Sequence, residues 1–128
     1  MPEPARPAGR SVVIVEDEPD ILESMEALLR HNGYAVQTSS RGDEGLALVL
    51  RDRPGLVVLD VMLPGMTGHE VCRALKGSAA TRAIPVLLLS ALAQKNDVDA
   101  GLACGADRYL TKPYRNEDLL RAVADLLP

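Results

Sequence analysis

The stretch LVVLDVMLPG, residues 56–65, decides how the rest of the chain is read. Four apolar residues run into Asp60, three more follow, and then Pro64 and Gly65 break the run. A short, continuous apolar run bounded by turn residues is the pattern of a strand buried on both faces, as inside a parallel sheet. A carboxylate at the end of such a strand is costly. Even a neutral polar group without a partner loses about 2 to 7 kcal/mol on burial, and a charge loses more. Some other part of the chain therefore has to meet Asp60.

The same pattern recurs around it. Residues 11–15, SVVIV, form a β-branched run, and residues 20–33 place Ile21, Leu22, Met25, Leu28 and Leu29 on one helical stripe closed by Gly33 as a C-cap. The pair of strand and helix repeats at 34–39 and 43–55, again at 55–60 and 67–77, and a fourth strand is expected over 83–90. The helix expected over 96–105 is the weakest, because Gly101 lies inside it at a cost of about 1 kcal/mol relative to Ala. A fifth strand over 107–111 leads through Lys112 and Pro113 to a last helix over 117–127, with Asn116 as its N-cap. Apolar strands alternating with amphipathic helices predict an α/β fold: a doubly wound, five-stranded parallel sheet with five helices.

Composition agrees and excludes several classes. At 128 residues, 47% apolar and 25% charged, the chain reads as one globular domain over residues 11–128, preceded by a flexible tail over residues 1–10 that holds three prolines. A net charge of −4, no Phe, no Trp and three Tyr supply neither the basic patch nor the stacking aromatics of direct nucleic-acid contact. No apolar run approaches the ~20 residues of a membrane span, and the first ten residues lack the hydrophobic core of a signal peptide. No membrane is expected, and the cytoplasm is the expected compartment. Cys72 and Cys104 lack CxxC spacing and are expected as reduced, partly buried thiols.

In an open parallel sheet, ligands bind beyond the carboxyl ends of the strands. Strand one ends in Glu16 and Asp17, strand three in Asp60, strand four in Ser90, and strand five runs out to Lys112. Three carboxylates, a hydroxyl and an ammonium thus converge on one rim. A hard divalent cation bridging Asp60 to Asp17 and Glu16, with Lys112 nearby, would keep all of them ionised. Oxygen donors without His or Cys select Mg²⁺, with Mn²⁺ as the alternative, over zinc.

In these residues the chain resembles the receiver domain of bacterial two-component response regulators, from about Ser11 to Leu127. The family pattern is an acidic pair after the first strand, an Asp after the third with Pro four and Gly eight residues on, a Ser or Thr after the fourth, and Lys-Pro after the fifth. Here it reads Glu16 and Asp17, Asp60 with Pro64 and Gly68, Ser90 followed by Ala91, and Lys112 with Pro113. The departures are small: Glu16 stands where Asp is more frequent, and Ser90 where Thr is common.

The resemblance implies a flavodoxin-like fold of receiver type and a phosphorelay function. A phosphoryl group would pass from a sensor histidine kinase, a phosphotransfer protein or a small phosphodonor to Asp60, and a water would later remove it. The domain is then no enzyme beyond catalysing its own phosphorylation and dephosphorylation. By the same likeness Asp17 is the direct metal ligand, Glu16 acts through a water, and the backbone carbonyl of Met62 completes the protein's coordination. Lys112 neutralises the phosphoryl oxygens and Ser90 hydrogen-bonds one of them. Ser90 and Tyr109 are the switch pair. The readout face is that of the helix over 96–105, the strand over 107–111 and the last helix, open to an output partner or a homodimer.

Other readings compete. Glu18 and Asp20 fit a helix N-terminus, with Pro19 in the first turn. His69 and Cys72 sit three apart on a helix, but no further ligand has suitable spacing, so a solvated His and a packed thiol are expected. Tyr114 reads as an ordinary rim aromatic. A haloacid-dehalogenase-like phosphatase needs a second Asp where Met62 stands, and a flavin carrier needs a phosphate loop where Glu16 and Asp17 stand. A non-phosphorylated pseudo-receiver serving as a docking module is the remaining alternative.

Overall fold

The computed structural model describes residues 10–127. Strand β1 (Ser11–Val15) leads to helix α1 (Pro19–His31), and four more pairs follow. These are β2 (Ala35–Ser39) with α2 (Gly42–Asp52), β3 (Leu56–Asp60) with α3 (Gly68–Lys76), β4 (Val86–Ser90) with α4 (Lys95–Ala103), and β5 (Arg108–Thr111) with α5 (Asn116–Leu126). The strands pair in parallel in the order β2-β1-β3-β4-β5. This is the doubly wound sheet that the alternation of strands and helices predicts.

The runs are apolar throughout because both faces of the sheet are covered. Val12, Ile14, Val58, Leu87 and Leu89 pack with Met25 and Leu29 of α1 and with Leu119, Ala122 and Val123 of α5. The alternate residues Val13, Val15, Val57, Leu59 and Leu88 pack on the opposite face with Val49 of α2 and Val71, Cys72 and Leu75 of α3. Each such side chain taken fully out of water contributes about 1.5–3 kcal/mol, which fixes register as well as stability: a slip of one residue would exchange the two cores. The edge strands show weaker patterns. β2 exposes Ala35 and Gln37, and β5 is half-buried at every position.

Several boundaries differ from expectation for local reasons. Helix α2 stops at Asp52 because Arg53 directly precedes Pro54, which disfavours helical backbone there; Arg53 adopts φ 47° instead. Asn116 is the first helical residue of α5 and not its cap. The cap is Arg115, whose N–H donates to the Asp118 carboxylate at 3.4 Å. Gly33 closes α1 as expected: at φ 92° its N–H donates to the Arg30 carbonyl and the Tyr34 N–H to the Leu29 carbonyl, both at 3.1 Å, while the Asn32 side-chain amide just before it donates to the Leu28 carbonyl at 2.8 Å. Of the expected tail, residues 1–9 lie outside the described residues. Arg10 stacks 4.6 Å over the Tyr34 ring and donates to the Gly33 carbonyl at 3.4 Å. No described helix is long and apolar enough to cross a membrane.

The strand order places the site. From β1 the chain moves outward to β2, then crosses back to place β3 on β1's other side. The carboxyl ends of β1 and β3 therefore flank the crevice where the winding reverses, the favoured binding position in such sheets.

Candidate functional site

Backbone ladders that run to or just past the strand ends hold the residues at that crevice. The Glu16 N–H donates to the Ser39 carbonyl at 3.0 Å, one residue beyond β1. Asp60 ends β3, and the next N–H, of Val61, donates to the Leu89 carbonyl at 3.0 Å. Ser90 ends β4, and its carbonyl accepts the Lys112 N–H at 2.8 Å. Lys112 immediately follows β5 and precedes a cis peptide to Pro113.

Asp60, whose burial posed the first question, is met by Lys112. The Lys112 Nζ lies 3.2 Å from Asp60 Oδ1 and 3.0 Å from Glu16 Oε1. Glu16 is fully buried and Asp60 only 5% exposed, so this ammonium is the cation that makes their burial tolerable. The second Glu16 oxygen accepts the Glu18 N–H at 3.1 Å, leaving Glu16 engaged on both sides. Asp17 is exposed, and one carboxylate oxygen from each of Glu16, Asp17 and Asp60 lies within 4.8 Å of the others.

The charges do not balance. Three carboxylates face one ammonium, and burial together with the Glu16 carboxylate pushes the Asp60 carboxyl up to about 6 despite Lys112. Burial alone would lower Lys112, but the Glu16 and Asp60 carboxylates outweigh it and hold the ammonium above its usual range. An all-oxygen cluster with this excess of negative charge suits a hard divalent cation and contains no soft ligand for zinc. His69 and Cys72 do not enter the cluster.

The neighbouring residues set access and reach. Ser90 is buried, and its Oγ accepts the Leu92 N–H at 3.0 Å; its own O–H remains available to donate. The Met62 side chain is 67% exposed in the loop after β3. Tyr114 is a rim residue, walling with Ile21, Met25, Leu28 and Pro113 an apolar groove of about 500 Å³ that also touches Lys112. Tyr109 is half-buried, and its hydroxyl donates to the Leu92 carbonyl at 2.7 Å.

Two thiol and imidazole expectations are corrected. Cys72 and Cys104 are free, as expected, but buried and not partly exposed, because α3 and the end of α4 close over them; burial pushes the Cys72 thiol well up. His69 is not solvated: it is half-buried, and its Nε2 has no hydrogen-bond partner among the described residues.

Sequence reasoning brought Asp60, Asp17, Glu16, Lys112 and Ser90 to one rim, but it missed the Glu16–Lys112 ion pair, whose partners lie 96 residues apart. It also missed why Gly68 stands where it does. A Cβ there would collide with the Asp60 carbonyl oxygen, so only glycine lets α3 begin directly against the strand end that carries Asp60. The Gly68 N–H donates to the Val61 carbonyl at 2.9 Å and fixes that approach. The signal was Gly68's fixed spacing from Asp60.

Comparison with known proteins places these features among relatives. A family model described as the response regulator receiver domain matches residues 12–124. The response regulator MprA of Mycobacterium leprae is 41% identical over 116 residues, covering 91% of this chain and 50% of the relative; the chain spans about half the length of the curated relatives it matches. Among solved structures, a putative response regulator from Chloroflexus aurantiacus superposes with a TM-score of 0.88 at 31% identity, covering 92% of this chain and 97% of that one. The receiver domain of the sensor histidine kinase PA1611 from Pseudomonas aeruginosa, solved with a magnesium ion coordinated in its active site cleft, superposes at 0.86 with 28% identity, covering 93% and 98%.

Proposed function

The chain belongs to the response regulator receiver domain family of two-component signalling, and from that premise we propose that it is a phosphoryl-accepting switch with Asp60 as the acceptor. The observation that carries this reading is the buried Asp60 carboxylate held 3.2 Å from the Lys112 ammonium beside two further carboxylates. The donor is a sensor histidine kinase, a phosphotransfer protein or a small acyl phosphate. One carboxylate oxygen of Asp60 attacks the phosphorus in line with the leaving group, and the donor's P–N or P–O bond breaks as the new P–O bond forms.

Each neighbour has a role that its position supports. Lys112 already touches Asp60 Oδ1, so phosphoryl oxygens arriving on that carboxylate meet an ammonium without further reorganisation. Ser90 turns its free O–H toward one of those oxygens. Asp17, exposed and adjacent to Asp60, would be the direct ligand of Mg²⁺, with Mn²⁺ as a substitute, and the Met62 backbone carbonyl would hold the same ion. Glu16, engaged by Lys112 and by the Glu18 N–H, acts through a water. When bound, the ion would supply positive charge to the arriving phosphoryl group and to the surplus carboxylates. The readout runs through Ser90 and Tyr109 to the face of α4, β5 and α5, where an output partner or a second copy docks, in the cytoplasm.

Incubation with acetyl phosphate and Mg²⁺ tests the reading. It predicts a mass gain of one phosphoryl group that hydroxylamine removes, as expected of an acyl phosphate; a protein that stays unmodified while folded would instead be a pseudo-receiver used for docking.

The metal assignment predicts a thermal response. Mg²⁺ at a hundredfold excess over its dissociation constant should stabilise the fold by about 2.7 kcal/mol. Asp17→Asn should lose most of the rise in Tm that Mg²⁺ causes, and Glu16→Gln less of it. Equal losses, or a larger one for Glu16→Gln, would contradict Asp17 as the direct ligand.

A further inference from the structure

We infer that Gly101 is a positioning residue: its lack of a side chain seats the Tyr109 ring beneath α4 and thereby couples α4 to Ser90. The inference deepens the switch reading above and rests on it.

Helix α4 is the least anchored helix of the fold, and Gly101 is its one buried residue. The Tyr109 ring, projecting from β5, fills the space beside it. A Cβ at position 101 would lie 2.6 Å from Tyr109 Cδ2, 2.7 Å from Cε2 and 3.2 Å from Leu88 Cδ1. The first two distances are shorter than real Cβ contacts, and a ring held on a strand cannot yield as the end of a flexible chain does. Leu88 Cδ1, at 3.2 Å the end of a side chain from β4, need yield only a few tenths of an ångström, so the ring is the barrier. Any larger residue at 101 must therefore lift α4 or expel the ring.

The ring is tied to the phosphoryl site through one backbone residue. The Tyr109 hydroxyl donates to the Leu92 carbonyl at 2.7 Å, and the Leu92 N–H donates to Ser90 Oγ at 3.0 Å. Ser90, Leu92, Tyr109 and Gly101 thus form a continuous line from the end of β4 to α4. If Ser90 reorients, the Leu92 backbone moves, and the hydroxyl that reports this belongs to the ring on which α4 rests. The glycine that weakens the helix by propensity is the contact that joins it to the site.

A double-mutant cycle in urea isolates the contact. Alanine is the better helix former, so in a Tyr109→Ala background, where the ring is gone, Gly101→Ala should raise the folded-to-unfolded ratio about fivefold. In the native background it should lower that ratio. The same sign in both backgrounds would overturn the inference.

The functional arm reads amide shifts on adding beryllofluoride, a phosphoryl mimic, with Mg²⁺. Native protein should shift at residues 60–62, 90–92 and 95–109. Gly101→Ala should shift at 60–62 and 90–92 while residues 95–103 stay unmoved. A native-like response of α4 in Gly101→Ala would refute the coupling. If the native protein shows no shift near Asp60, the switch reading itself fails, and the sign of the urea cycle still decides whether Gly101 seats the ring.

Discussion

Asp60→Asn is expected to abolish the ~80 Da gain of one phosphoryl group and, at the same time, to stabilise the metal-free protein. The first effect follows from removing the attacking oxygen: the neutral amide has the same shape, and among the described residues the only other carboxylate paired with Lys112 is the fully engaged Glu16. The second follows from the carboxyl's own titration. Its folded-state value is about 6, raised by burial and by Glu16, against about 4 in an unfolded chain. The proton is therefore bound more tightly in the folded state. Asp60's favourable share of stability is complete below pH ~4 and is lost as the pH rises through about 6. At pH 7 in EDTA the native protein carries the whole penalty of an ionised, buried Asp60, on the order of 1–3 kcal/mol, and Asp60→Asn does not. Urea unfolding of both proteins from pH 4 to 8 should show the variant's advantage growing with pH up to about 7. An advantage that is constant with pH, or a variant less stable at pH 7, would mean that Asp60 is not the strained carboxylate of this cluster. Mass gain that persists at the native rate in Asp60→Asn would remove it as the acceptor.

Lys112→Met has the opposite consequence for the fold. The thioether side chain keeps the bulk but leaves Glu16, fully buried, and Asp60, nearly so, with no cation between them. Breaking a buried pair by deleting one partner costs about 3–5 kcal/mol, so the metal-free variant should unfold at markedly lower urea. Mg²⁺ should recover part of the loss, because it supplies positive charge to the same carboxylates. Phosphoryl transfer from acetyl phosphate should slow by about 10²–10³, the scale for losing one preorganised charge stabiliser. Native urea stability in EDTA for Lys112→Met would show that the ammonium is not what keeps the two carboxylates buried.

The central sheet was legible from the sequence because β1, β3 and β4 are buried on both faces, so each residue in 12–15, 56–59 and 86–89 had to be apolar. The rim was legible for a related reason. Charged and hydroxyl residues following such runs mark the strand ends, and the fold brings those ends together. What lay beyond reading were contacts set by tertiary geometry. That Lys112 pairs with Glu16 as well as Asp60 depends on side-chain lengths across three strands. Asn116 had the residue type of a cap, but Asp118 placed its carboxylate where it secures Arg115. Gly101 looked like a weakness in the helix over 96–105, because propensity sees only the chain's own backbone and not the Tyr109 ring that arrives from the next strand. His69 was expected in solvent, since nothing in the helix pattern showed that its Nε2 would be covered.

The measurement that bears most directly on Asp60 as the phosphoryl acceptor is reductive trapping. The native protein is treated with acetyl phosphate and Mg²⁺, reduced with borohydride, which converts an aspartyl phosphate to homoserine, and then peptide-mapped. Phosphorylation of Asp60 predicts homoserine at position 60 alone, and none when EDTA replaces Mg²⁺. Homoserine at Asp17, or at no position in a protein that gained phosphoryl mass, would contradict it.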